Sequence, residues 1–227
     1  MNKTLGQTES PSNQFVWAFF ALILLGLSDP ALAGMVWSAR AIDPSQIEAL
    51  KNNQQLLENT LFGEQPPILN EQLKKNGQVN LADPQVKDEL TAWLAAHKAN
   101  DTSVDLDKAW HGIHYLLTGS AEPNGTLASK VIFGGESIGG DVGYGPAQLL
   151  KPDEVKAIAQ LLDATPPEVL QKRFKPEEMA RAKVYPSVIW VRDGEEALKY
   201  VLDNYKNLVA FYKRAAERGQ AVIFAIS

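Results

Sequence analysis

Apolar positions recur at helical spacing over most of this chain, and short apolar runs at its two ends have strand character. Val36 to Ile42 (VWSARAI) predicts a short strand. Asp43-Pro44 then supplies a cap and a first-turn proline. Ile47, Leu50, Gln54, Leu57 and Leu61 follow at helical intervals, predicting a helix to about Phe62. Residues 63–85 are rich in Gly, Pro, Asn and Gln and read as a long irregular connection. Val86 to Lys98 returns to helical spacing, with Val86, Leu90, Trp93 and Leu94 on one face, before a polar link at 99–106. The sequence Asp107 to Gly119 (DKAWHGIHYLLTG) is the clearest helix signal, with Asp107 as cap and Gly119 suited to a left-handed C-terminal position.

A short helix or strand at Leu127–Phe133 leads into a glycine-rich loop, Gly134 to Gly145. Prolines 152, 166 and 176 each open a helix, and Val188 to Val191 predicts a strand. Asp193 is placed to cap the longest helix, Gly194 to Arg218. Its buried stripe includes Leu198, Val201, Tyr205, Leu208 and Tyr212. Gly219 ends that helix, and Ala221 to Ile226 reads as a buried strand. The expected fold class is α+β: a single, mostly helical domain over residues 34–227, with a small mixed β-sheet that includes 36–42 and 221–226.

Residues 1–33 change the picture, because they read as a leader. Phe15 to Leu27 is apolar apart from Gly26. A membrane-spanning helix needs about 20 apolar residues, so this run is too short to span and fits the h-region of a signal peptide. Asp29-Pro30 breaks the run, and Ala31-Leu32-Ala33 gives a small-x-small cleavage pattern that would leave Gly34 or Met35 first. The expected location is periplasmic or secreted, with no stable membrane span after processing. Two alternatives stay open: an uncleaved membrane anchor, and a cytoplasmic protein initiated at Met35.

Composition narrows the chemistry. The chain is 45% hydrophobic and 22% charged, with five Trp to fill a core. Its net charge is −5 and its basic residues are dispersed, which argues against a nucleic-acid partner. The chain has no cysteine, so disulfides, thiolate catalysis and Cys-ligated zinc are excluded.

On the 107–119 helix, Ala109, Trp110, Ile113, Leu116 and Leu117 share one arc. His114 falls at the rim of that arc beside Trp110, where a histidine can be an acid/base group or a hydrogen-bonded structural residue. The structural role carries more weight, because spacing picks out no nucleophile or carboxylate for it. His111 and His114 lie at i, i+3 and would need further ligands for a metal, so no metal or cofactor is expected. Six glycines fall between Gly134 and Gly145. Glu136 and Asp141 would repel a phosphate there, Pro146 lacks an amide donor, and the expected role is a structured loop packed on a helix, with the helix of His114 as the candidate. The functional variant is a pocket for a protein or small-molecule partner lined by Trp110, His114, Glu136 and Tyr144, with Tyr185 a further aromatic anchor.

The stretches DKAWHGIHYLLTG, GGESIGGDVGYGPAQLL, VYP and the 194–227 tail resemble the YfbM-like family, bacterial domains of unknown function. The resemblance runs over about 34–227 and implies a compact α+β fold. It carries no activity over to any residue. The chain departs from the family in its export-type leader, where members are expected to be cytoplasmic, and in a longer 63–105 stretch. The functional expectation is a non-catalytic exported binding protein. The alternative is a small hydrolase using His114 as acid/base with Glu136 and Tyr144 assisting.

Overall fold

The computed structural model describes residues 34–63, 67–77, 80, 82–96 and 102–227. The leader expected at Phe15–Leu27 and its cleavage pattern lie outside the described residues, as do the side chains of Trp93 and Leu94. The chain divides into two compact units, one holding Gln65–Ala96 and the other Met35–Glu64 with His97–Ser227.

In the first unit, α3 (Pro67–Asn76) and α4 (Pro84–Ala96) are helices. The expected irregular connection over 63–85 therefore contains a helix. Asn and Gln weaken a helix only slightly, and Ile68 is buried with Val86 against Leu90.

The second unit is built on a five-stranded sheet of order β2-β1-β5-β4-β3, with β1 Trp37–Ile42, β2 Ser103–Asp105, β3 Glu136–Asp141, β4 Pro146–Leu150 and β5 Ala221–Ile226. Every pairing is antiparallel, so the sheet is not mixed as expected. Two of its strands that are distant in sequence explain this. β1 and β5 run antiparallel over their whole lengths, Trp37 opposite Ile226 and Ile42 opposite Ala221. β3 and β4 form a hairpin, so half of the segment expected as a glycine-rich loop, Glu136–Asp141, is strand. β2 falls in what reads as a polar link; three residues are too few to show alternation.

Alternation sends the two faces of the sheet into different cores. Trp37, Ala39, Val222, Phe224 and Leu150 face the larger core. Ile42, Ile138, Leu149, Ile223 and Ala225 face the smaller one, with Leu50 of α1 (Ile47–Asn52) and Leu57 and Leu61 of α2 (Gln54–Phe62). The helix expected over 44–62 is interrupted at Asn53, whose extended backbone and side-chain bond to the Leu56 amide start α2 afresh.

The larger core is closed by α5 (Trp110–Thr118), α6 (Leu127–Phe133), α7 (Pro152–Asp163), α8 (Pro167–Arg173), α9 (Pro176–Arg181), α10 (Ile189–Asp193) and α11 (Glu195–Glu217). The 188–191 segment is helical rather than a strand, and its apolar content reflects Trp190, which is buried. Gly194, not Asp193, stands at the start of α11, while Asp193 pairs with Arg192 at 2.6 Å. The large aromatic side chains of this core find polar partners: Trp37 Nε1 donates to Ile132 O (3.1 Å), Tyr212 Oη to Val131 O (3.1 Å) and Trp190 Nε1 to Val184 O (2.6 Å).

Candidate functional site

Helix α5 carries most of the side chains singled out by sequence. Its Trp110, Ile113, His114, Leu116 and Leu117 are buried, and Gly119 ends it in the left-handed conformation, as expected. The open carbonyls of its last turn accept from the Arg173 guanidinium, Leu116 O at 2.9 Å and Leu117 O at 3.1 Å. Asp107 does not cap this helix. It opens a 3-10 turn over 107–109 with φ of +46°, and its side chain is turned to other work.

The Trp110 indole is the centre of a ring cluster. His111 stacks on it at 4.9 Å, Tyr185 at 6.0 Å, and Phe133 meets it edge-on at 5.7 Å. Trp110 Nε1 donates to Met35 O at 3.0 Å. His111 is bonded at both nitrogens: Nδ1 accepts from the Tyr185 amide at 2.9 Å, and Nε2 faces Ala121 O at 2.8 Å. Only the neutral ring with its proton on Nε2 satisfies both bonds.

His114 is fully buried rather than at the core rim. Phe133 from α6 covers it edge-on at 4.7 Å, and the loop after α5 brings Glu122 O to 3.3 Å from Nε2. Among the described residues its Nδ1 has no hydrogen-bond partner. Burial holds both imidazoles below the usual histidine range, partly offset by their carbonyl partners.

Beside this cluster lies a group that the sequence reading missed. Tyr200 Oη, from α11, donates to Asp107 Oδ2 at 2.8 Å and accepts from the Lys108 amide at 3.0 Å. The Asp107 amide in turn donates to Asp105 Oδ1 at 2.6 Å. Burial pushes the Asp105 carboxyl up to about 6, and the neighbouring Asp107 charge adds to the effect. Burial also raises the Tyr200 phenol, with Asp107 reinforcing it. The signal in the sequence was an Asp-Leu-Asp step at the mouth of the aromatic helix, of which Asp107 reads as a cap and Asp105 as part of the polar link.

Tyr144 sits at the turn of the β3–β4 hairpin, 62% exposed, with its amide bonded to Ile226 O at 2.9 Å. Asp141 Oδ1 holds that turn by accepting from the Gly143 and Gly145 amides at 2.8 and 3.2 Å. Gly139 and Gly140 pack on α2, not on the helix of His114, and Gly140 donates to Gln54 Oε1 at 2.8 Å. Tyr144 and Asp107 both act electrostatically on the Tyr185 phenol, which burial raises first. Tyr144, Tyr185, Trp110 and Asp107 therefore belong to one neighbourhood.

Glu136 belongs to another. It is opposite Leu149 on the sheet face covered by α1 and α2, and it pairs with Lys51 at 2.7 Å and Lys151 at 3.7 Å. His114 lies among the helices of the opposite face, so the sheet separates the two. Among the described residues no group of three His, Asp or Glu is arranged to hold a metal. A cleft of about 180 Å³, lined in part by Gln171, Leu198, Leu202 and Asp203, contains none of the expected site residues. No described helix is long and apolar enough to cross a membrane.

The family described as domain of unknown function DUF1877 matches residues 33–225. The fold is similar to that of a protein of unknown function, YfbM from Escherichia coli, at a TM-score of 0.51 and 21% identity. The match covers 86% of this chain and 100% of that one. These findings bear out the YfbM-like resemblance read from the motifs. No curated protein gives a significant match.

Proposed function

From the premise that the chain belongs to the DUF1877 family, we propose that it is a non-catalytic binding protein acting outside the cytoplasm. Its recognition surface is the neighbourhood of Tyr144 and Tyr185, with Trp110 beneath. The observation that carries this reading is the exposure of Tyr144 on a turn pinned by its own amide, within electrostatic reach of a second tyrosine whose amide is held by His111. Aromatic side chains carried on a backbone already fixed by hydrogen bonds cost less to order on binding and favour a protein or small-molecule partner. The hydrolase alternative has less support, because His114 is buried and Glu136 lies across the sheet in ion pairs.

The export reading draws support from the family match, which begins at residue 33, at the Ala31-Leu32-Ala33 pattern. The test is twofold. N-terminal sequencing of the native protein should find Gly34 or Met35 in an extracytoplasmic fraction; an intact Met1 in the cytosol refutes export. Crosslinked partners recovered with the wild-type chain should be lost with Tyr144→Ser and retained with Glu136→Gln. The opposite pattern refutes the surface.

A further inference from the structure

We propose that His111 is a pH-sensitive latch: as a neutral ring it pins the Tyr185 segment and the loop after α5 to helix α5, and protonation releases Tyr185. The inference rests on the reading of Tyr185 as part of a recognition surface, and it names how that surface is regulated.

The geometry is that of a single permitted tautomer. The Tyr185 amide can only donate, so Nδ1 at 2.9 Å must present a lone pair. The proton then sits on Nε2, which donates to Ala121 O at 2.8 Å. A second proton has to enter at Nδ1. It turns the acceptor into a donor aimed at another donor, and the bond to Tyr185 becomes a repulsion. The bond to Ala121 survives, because Nε2 remains a donor. The switch is therefore selective: it frees the Tyr185 side and keeps the 119–125 loop attached.

Among the described residues, two titratable groups act on the ring. From the loop, Glu122 favours the protonated ring, while His114 on α5 itself would oppose a second positive charge nearby. Phe133 from α6 and Trp110 bring no charge, although the Trp110 face stacked at 4.9 Å favours a cation. The Tyr185 phenol is uncharged at the relevant pH, because burial raises it further. Burial of the ring is the largest opposing effect, so release falls on the acid side of the ordinary histidine range.

Hydrogen exchange of the Tyr185 amide in the intact chain reads the latch without any partner. On acidification from about pH 7.5 until His111 is protonated, after correction for intrinsic exchange chemistry, protection at Tyr185 should fall by roughly tenfold or more, while β5 amides keep theirs. His111→Asn retains an acceptor for Tyr185 but cannot be protonated, and should abolish the pH response. His114→Leu should leave it intact. Nitrogen-15 spectra of the wild-type imidazole supply a measurement that needs no variant: the Nε2–H tautomer is expected at the higher pH. A protonated His111 with Tyr185 still protected overturns the latch, as does a response unchanged in His111→Asn. Loss of the crosslinked partner plays no part in this readout, so the latch and the binding role fail separately.

Discussion

The indole of Trp190 approaches Gly112 so closely that a β-carbon on Gly112 would lie 2.6 Å from Trp190 Cη2. Trp190 cannot retreat, being fully buried with its Nε1 bonded to Val184 O at 2.6 Å. Val201 Cγ2, at 3.1 Å, closes the other side. Gly112→Ala should therefore destabilise the fold by about 1–3 kcal/mol through overpacking, although Ala is the better helix former. Urea unfolding checks this, and a stabilised variant would contradict the close approach of α5 to Trp190.

Tyr200 ties α11 to the turn before α5. Tyr200→Phe leaves the Lys108 amide and Asp107 Oδ2 without the phenol, and should lower stability by about 1–3 kcal/mol. Asp107→Ala should lose a similar amount. The two losses should not add, because both remove the same bond. A double-mutant cycle with additive effects would show that the bond contributes nothing.

Asp105 is held in the fold at a cost. Its pKa is pushed up to about 6, so the native state binds more protons than the unfolded chain between about pH 4 and 6. This group's contribution to stability therefore falls as pH rises across that window. Asp105→Asn keeps an acceptor for the Asp107 amide and removes the charge. It should stabilise the protein by about 1–3 kcal/mol above roughly pH 6, with the gain vanishing below about pH 4. Melting curves of both proteins across pH, taken as a difference, isolate the effect. A gain independent of pH would mean that burial is not raising this carboxyl.

The two imidazoles act with the opposite sign. Both are held below the ordinary histidine range, so the unfolded chain takes up protons that the native state refuses. The stability they contribute is complete above about pH 6.5 and is lost as pH falls through the histidine range. Removing the buried ring with His114→Ala should cost about 2 kcal/mol or more at neutral pH and flatten part of this acid limb. A variant that melts like the wild type would show that the ring does not fill the space between α5 and Phe133.

How much of this was legible in sequence can be judged from particular residues. The stripe of α11, the strands at both ends, Gly119 and the body of α5 follow from local rules of spacing and left-handed glycine, whereas the cap expected at Asp107 does not form. The 188–191 segment was misjudged because a short apolar run has no period of its own, and only the burial of Trp190 against Gly112 decides its state. His114 was placed at the rim because helical projection knows one helix and not the Phe133 that covers it.

The sequence by itself determined the order and character of most helices, the cysteine-free chemistry, the dispersed charge and the family. Those depend on neighbours a few residues apart or on composition. Only tertiary structure decided that Glu136 and His114 lie across a sheet, and that Asp105, Asp107 and Tyr200 meet. The Asp107–Tyr200 bond spans 93 residues of sequence. No local propensity registers a bond across that distance; it exists because the packing of α11 on the larger core brings its side chain to the turn before α5.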